Sequence, residues 1–502
     1  MLACLRTAAL YGLDACAVHV EVDVSFGMPI FTMVGLPDTS VRESRDRVRS
    51  AIRNSGFEFP QHRITVNLAP ADVRKAGAAF DLPIALGILM AQGVVERREI
   101  ADVLVLGELS LDGSIHPARG VLPIAAAARR DGLAGVLLPR SNAGEAAIVD
   151  GLDVWAVSSL AEAVGALNHP ASTMATAAPP APTATSSTPD LADVHGQLLA
   201  RRALEIACAG GHNLLLVGPP GAGKTMMARR VPGILPPLTF DEALEVTAVH
   251  SVAGLLSSGC GLVMDRPFRA PHHTISNVAL VGGGSQPRPG EVSLAHHGVL
   301  FLDEMLEFHR GVLEVLRQPL EEGHVTIARA SRTVRFPARF VLVGAMNPCP
   351  CGFAGDPDRE CRCTPQLVER YRSRMSGPLR DRLDLTVEVP AVPPDVLGAG
   401  VAGECSEAVR ARVVLARERQ RDRLDFKDVR TNSALTPQMM ARYCRLDSDG
   451  LRLLAAAVRR LGLTARGYDR VRKVARTIAD LAGADNVEGD HIAEALQFRM
   501  TT

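Results

Sequence analysis

The residues best equipped for chemistry lie at 212–225, HNLLLVGPPGAGKT. An apolar run, Leu214 to Val217, leads into Gly218, Pro219, Pro220, Gly221, Ala222 and Gly223, followed by Lys224 and Thr225. Glycines let backbone N–H groups approach phosphate oxygens, and a helix opening there turns its positive end toward them. A lysine at this spacing reaches the β- and γ-phosphates, and the Thr225 hydroxyl suits Mg²⁺. The expected site therefore binds ATP with Mg²⁺. Further along, GVLFLDE at 298–304 is an apolar strand from which Asp303 and Glu304 emerge. Asp303 is suited to hold Mg²⁺ through water, and Glu304 to orient the attacking water. A third apolar run, FVLVGAMNP at 340–348, ends in Asn347. That side chain is either a γ-phosphate sensor or a turn-forming residue before Pro348.

A second chemical cluster is Cys349, Cys351, Cys361 and Cys363, two C-x-C pairs. Four thiolates can surround Zn²⁺ tetrahedrally, although C-x-x-C is the commoner spacing. Reduced turn cysteines or a redox switch are the alternatives. With no open position visible, such a zinc would be structural. His272–His273 and His296–His297 are adjacent pairs. In a strand, neighbours face opposite sides, which argues against a shared ion. HVTIARASRTVRFPARF at 324–340 reads as a β-hairpin displaying Arg329, Arg332 and Arg335. Arginines so placed could follow a phosphate backbone without reading its sequence, or simply be solvated.

These residues need elements to hold them. Residues 1–168 alternate strand-like runs (18–25, 62–70, 103–109, 135–140) with helical ones (81–93, 123–132), which is an α/β pattern. HPASTMATAAPPAPTATSSTPD at 169–190 has almost no large apolar residue and reads as a linker. Residues 191–395 return to α/β alternation. From 396 to 502 the pattern is helical, with 18 Lys and Arg against 9 Asp and Glu between 406 and 480. The whole chain of 502 residues balances 55 basic against 55 acidic residues. That excludes a globally basic coat for nucleic acid but leaves room for a local patch. No apolar run reaches the roughly 18–20 residues of a membrane span. The N-terminus alternates like a strand, so no signal peptide is expected. Ten unevenly spaced cysteines suit a reducing, cytoplasmic setting.

GPPGAGKT, GVLFLDE and GAMNP, in this order, resemble the AAA+ ATPases. The longer strings PGEVSLAHHGVLFLDE, NPCPCGFAGD and RYRSRMSGPLRDRLDL resemble the magnesium-chelatase-like branch, of ComM/YifB type. The resemblance spans nearly the whole chain. It implies an AAA+ P-loop core with a parallel sheet, a C-terminal helical lid, and a ring, usually a hexamer, with ATP between subunits. Arg382 then matches the arginine finger, with Arg380 two residues away. Arg466 matches the second-sensor arginine, with Arg470 one turn on as a competitor. DVHGQ at 193–197 matches the segment beside the adenine, and 269–290 matches a loop near the ring's pore. The role implied is a DNA translocase or helicase driving branch migration. The alternative is a chelatase-like motor that remodels a protein partner. The segment 107–142 resembles the Lon protease (S5-type) domain. Leu122 falls where the dyad lysine should stand, and the serine position falls near Gly77; nearby Lys75 cannot supply a serine. Protease chemistry is therefore excluded, leaving a binding or assembly module.

Overall fold

The computed structural model describes residues 1–73, 75, 77–96, 99–169, 188–257, 259–284, 287–328, 333–356, 359–392, 403–424 and 429–499. The expected linker thus lies mostly outside the described residues.

Two sheets organise the molecule. The first has seven strands in the order Phe31–Val34, Arg63–Ala69, Asp14–Ser25, Leu2–Tyr11, Glu99–Val105, Gly135–Pro139 and Asp153–Val157. Its long central strands bury alternate residues, such as Val18, Val20 and Val22, as a half-covered sheet requires. The helix Asp81–Ala91 is buried along its entire length, because it packs on this sheet and beneath the helix Thr39–Asn54. Its one charge, Asp81, is neutralised by Arg47, whose Nε lies 2.7 Å from Oδ2.

The second sheet has five parallel strands in the order Phe268–Arg269, Val299–Leu302, Val341–Met346, Leu214–Val217 and Leu385–Glu388. The middle three are buried at every position, which is why they read as unbroken apolar runs. The strand that ends before Asn347 lies between the phosphate-loop strand and the acidic strand. All three polar ends therefore converge at one edge, where open α/β sheets bind ligands.

After Pro390 the described residues form helices and no strands. Ser406–Arg423 and Ala465–Ala482 pack against Leu198–Gly210. A buried polar knot joins them: Asp480 receives Arg423 at 2.7 Å and Arg476 at 2.8 Å, and Asn432 at 2.8 Å. Buried charges persist only when so satisfied. One contact between the two α/β halves is made by Ser251, at the end of the helix Phe240–Ala253, which donates its hydroxyl to Glu145 and whose carbonyl accepts the Gly120 N–H at 3.1 Å. Burial raises the Glu145 carboxyl above its ordinary value. None of the described helices is long and apolar enough to cross a membrane.

The two positions that the resemblance set against the protease dyad, and at which the dyad is missing, make structural contacts. Leu122 is buried and gives its N–H to Glu145 at 2.8 Å. Gly77 sits at φ +95° and donates its N–H to Ser40 at 3.1 Å. Lys75 is fully buried and gives its amine to the Pro70 carbonyl.

Candidate nucleotide-binding site

Gly218 lies directly after its strand, with the Val389 carbonyl oxygen 2.1 Å from where a Cβ would stand. Only glycine allows the loop to leave the sheet there. Gly223 then takes φ +86°, and the helix Lys224–Ala228 begins. The Lys224 amine donates to the carbonyls of Gly218 at 2.7 Å and Pro219 at 2.8 Å, and to Asn347 Oδ1 at 3.2 Å. Burial pushes this amine below the ordinary lysine value, opposed by Asp303 and Glu304. The Thr225 hydroxyl donates to Asp303 Oδ2 at 2.6 Å. Lys224, Thr225, Asp303 and Asn347, distant in sequence, are thus brought together.

Glu304 follows at φ +47°, a left-handed conformation that costs a non-glycine residue about 1 kcal/mol or more. Its N–H is held by Asp303 Oδ1 at 3.0 Å, and its carboxylate points outward, 3.9 Å from His273 Nδ1. Strain at this residue matches a side chain aimed for use. A buried amine, a hydroxyl and a carboxylate at one sheet edge fit a phosphate chain and a hard, oxygen-seeking cation.

The arginines assigned by resemblance lie apart from this cluster. Arg382 is held by Glu321 and by the Pro378 carbonyl. Arg466 and Arg470 approach the two oxygens of Asp381 at 3.9 and 3.6 Å. All three line one cavity of about 650 Å³. Arg466 is 67% exposed, whereas Arg470 is 9% exposed and donates to the Leu383 carbonyl at 3.3 Å. The two arginines lie one turn apart on one helical face, so sequence alone left them equivalent. Gln197, in the segment 193–197 that the resemblance placed beside the adenine, donates to the Pro390 carbonyl at 2.6 Å.

The arginine hairpin forms as expected from His324–Ala328 and Thr333–Pro337, paired antiparallel. Arg335 is exposed; Arg329 and Arg332 lie outside the described residues. The hairpin is not free on both faces. A Cβ at Gly12 would lie 2.4 Å from Val334 Cγ1, so Val334 presses on the turn of the first sheet. In 269–290 the described residues form the helix Asn277–Val281 and a short pairing of Gly282–Gly283 with Arg288–Pro289.

The histidine pairs depart from the strand premise. His296 and His297 occupy a turn in which His297 takes φ +55°, and their rings lie 3.9 Å apart. Both place Nε2 on Glu245 Oε2, at 2.8 and 2.9 Å. Glu245 went unnoticed because 51 residues of sequence separate it from His296. The Arg339 N–H donates to His296 Nδ1 at 3.0 Å, so a neutral His296 carries its proton on Nε2. That proton goes to Glu245, and no lone pair remains there for a metal. The clamp braces the start of the strand that delivers Asp303 and Glu304. His272 and His273 likewise lie ring to ring, 4.0 Å apart.

Burial is the main cause that pushes His296 down to about 4, with His297 adding to it and Glu245 opposing. The unfolded chain takes up a proton near the ordinary histidine value of about 6.5, whereas the folded chain stays neutral until about pH 4. Stability is therefore full above about pH 6.5 and declines as pH falls toward 4, by as much as roughly 3 kcal/mol. Thermal unfolding scanned from pH 7 to 4 should show this slope, and His296→Gln should flatten it. An equal slope in the variant would remove His296 as its source.

A parallel sheet with the asparagine strand between the phosphate-loop and acidic strands defines a P-loop NTPase. The family description "Magnesium chelatase, subunit ChlI" matches residues 190–397, "Subunit ChlI of Mg-chelatase" matches 20–142, and "Magnesium chelatase, subunit ChlI C-terminal" matches 403–499. Competence protein ComM of Haemophilus influenzae is 44% identical over 506 residues, covering 99% of this chain and 97% of that one. YifB of Escherichia coli is 43% identical over 506 residues with the same coverage. Magnesium-chelatase subunit ChlI of Cyanophora paradoxa is 26% identical over 223 residues, 43% of this chain and 54% of that one. The chain belongs to the magnesium-chelatase-like AAA+ family, of ComM/YifB type. Membership implies a nucleotide and Mg²⁺ as cofactors and ATPase chemistry as the class of activity.

Proposed function

We propose that this chain is a cytoplasmic ATP hydrolase that assembles into a hexameric ring and moves along DNA. Its turnover would drive branch migration in recombination or in the uptake of transforming DNA. The observation carrying this reading is the near-complete match to a competence protein, joined to intact nucleotide machinery.

In this reading residues 191–395 form the motor and 396–502 the lid that moves against it. Residues 1–168, Lon-like without the dyad, serve binding or assembly. The phosphate loop, Gly218 to Thr225, cradles ATP, and Lys224 meets the β- and γ-phosphates. Thr225 and Asp303 would hold Mg²⁺, which neutralises charge on the phosphoryl oxygens. Glu304 orients the water that attacks and accepts its proton. Asn347, hydrogen-bonded to Lys224, senses whether the γ-phosphate is there. Arg382 of the neighbouring subunit stabilises the transferred charge. Arg466, the more exposed of its pair, is the second sensor. Arg329, Arg332 and Arg335 touch the DNA backbone. Cys349, Cys351, Cys361 and Cys363 hold a structural Zn²⁺.

Steady-state ATP hydrolysis with no DNA, single-stranded DNA and a four-way junction tests the reading. Several-fold stimulation by DNA is expected, and it should vanish in a triple Arg329→Ala, Arg332→Ala, Arg335→Ala variant. Turnover indifferent to every DNA would point instead to a motor that remodels a protein partner.

A further inference from the structure

We propose that the four-cysteine knot, once loaded with Zn²⁺, is a positioning device for the phosphate loop. It presses Gly352 against Pro220 and so fixes the cradle of Lys224. The proposal rests on the zinc and nucleotide readings above and adds a coupling between them.

The thiols are arranged for a metal. Cys349 Sγ lies 3.3 Å from Cys351 Sγ and 3.7 Å from Cys361 Sγ, and Cys351 and Cys361 are 3.6 Å apart. With Cys363 included, all four sulfurs fall within 4.8 Å of one another. Zinc–sulfur bonds of about 2.3 Å in a tetrahedron place sulfurs roughly 3.8 Å apart, whereas a disulfide needs about 2 Å. None of the four is in a disulfide. The described residues between Cys349 and Cys363 contain neither helix nor strand, and of the four cysteines only Cys349 is buried. A segment with so little core needs another tie, and a metal supplies one.

The knot stands against the nucleotide machinery. Cys349 follows Asn347 by two residues, so the sensor strand runs straight into it. Gly352 takes φ +88°, and a Cβ there would lie 2.5 Å from Pro220 Cδ and 2.9 Å from Cγ. Only glycine allows this approach, and a proline ring has little room to yield. Two further bonds anchor the contact to the thiols: Gly352 N–H to the Cys349 carbonyl at 3.0 Å, and Ala354 N–H to Cys349 Sγ at 3.3 Å. From the other side, Arg372 Nε holds the Pro348 carbonyl at 3.2 Å. Two of the three acceptors around the Lys224 amine, Pro219 O and Asn347 Oδ1, therefore sit on chain that adjoins the knot. A shift of the knot moves both. Misplacing such groups by about 1 Å can cost 10²-fold in function.

Two measurements on the purified full-length protein decide this. Zinc is counted by mass spectrometry, and affinity for a fluorescent ATP analogue is measured in excess Mg²⁺. Affinity is then remeasured after treatment with a nitrogen-donor chelator that spares Mg²⁺, after zinc is returned, and in Gly352→Ala. About one zinc per chain is expected. Its removal should weaken nucleotide binding about tenfold or more, and its return should restore it. Gly352→Ala should keep zinc yet bind nucleotide as weakly as the stripped protein. Zinc present, with affinity unmoved by both removal and Gly352→Ala, overturns the coupling and leaves the zinc site standing. No zinc in the protein overturns both. Wild-type protein that binds no nucleotide at all would sink the nucleotide reading itself. Should Gly352→Ala fail to fold, stripping and reloading the wild-type protein decides alone.

Discussion

Replacing Glu304 with glutamine should leave a protein that binds ATP and scarcely turns it over. The expected fall in turnover is about 10²–10⁴-fold, the usual worth of a positioned base. Binding should survive because of where Glu304 sits. Its side chain is 60% exposed, and His273 Nδ1 stands 3.9 Å from its carboxylate. The contacts that would hold the nucleotide belong to others: Thr225 to Asp303, and Lys224 to the loop carbonyls and Asn347. Glutamine keeps the shape and the N–H bond to Asp303 but cannot take a proton from water. It also meets the same left-handed backbone, so folding stability should change by no more than about 0.5 kcal/mol. Lys224→Ala should differ in kind, losing binding together with turnover. Single-turnover hydrolysis set beside nucleotide retention on a filter separates the two. Wild-type turnover in Glu304→Gln would remove Glu304 as the base.

What was legible beforehand follows from how each feature is written along the chain. The phosphate loop is contiguous, and its glycines, lysine and threonine are forced by one local geometry. The three strands that end in Thr225's loop, Asp303 and Asn347 are buried at every position, so each appears as an unbroken apolar run. Their order across the sheet left no local trace. Pairings made by tertiary contact were invisible. Glu245 under the two histidines, Glu321 on Arg382 and Pro220 against Gly352 each join segments far apart in sequence. The premise that the adjacent histidines lie in a strand and face opposite sides failed for a local reason as well: His297 adopts positive φ and folds the second ring back over the first.

The largest effect should come from Arg382→Ala. An arginine finger is worth about 10³–10⁵ in turnover, or roughly 4–7 kcal/mol of barrier. In the single chain Arg382 is bound to Glu321 and to the Pro378 carbonyl, away from Lys224. In the proposed ring its contribution would be made to another subunit's phosphate, after exchange of the Glu321 carboxylate for the phosphoryl oxygens. Two anionic partners competing for one guanidinium make a specific arrangement testable by mixing. Arg382→Ala and Lys224→Ala proteins should each be inactive alone. Mixed rings should regain turnover at about a quarter of their interfaces, those where an intact phosphate loop meets an intact arginine across a head-to-tail contact. Glu321→Gln should leave turnover intact or raise it, because it frees Arg382 without removing it. A merely structural Arg382–Glu321 pair would give the opposite results: no recovery on mixing, and equal losses from either substitution in thermal stability and turnover.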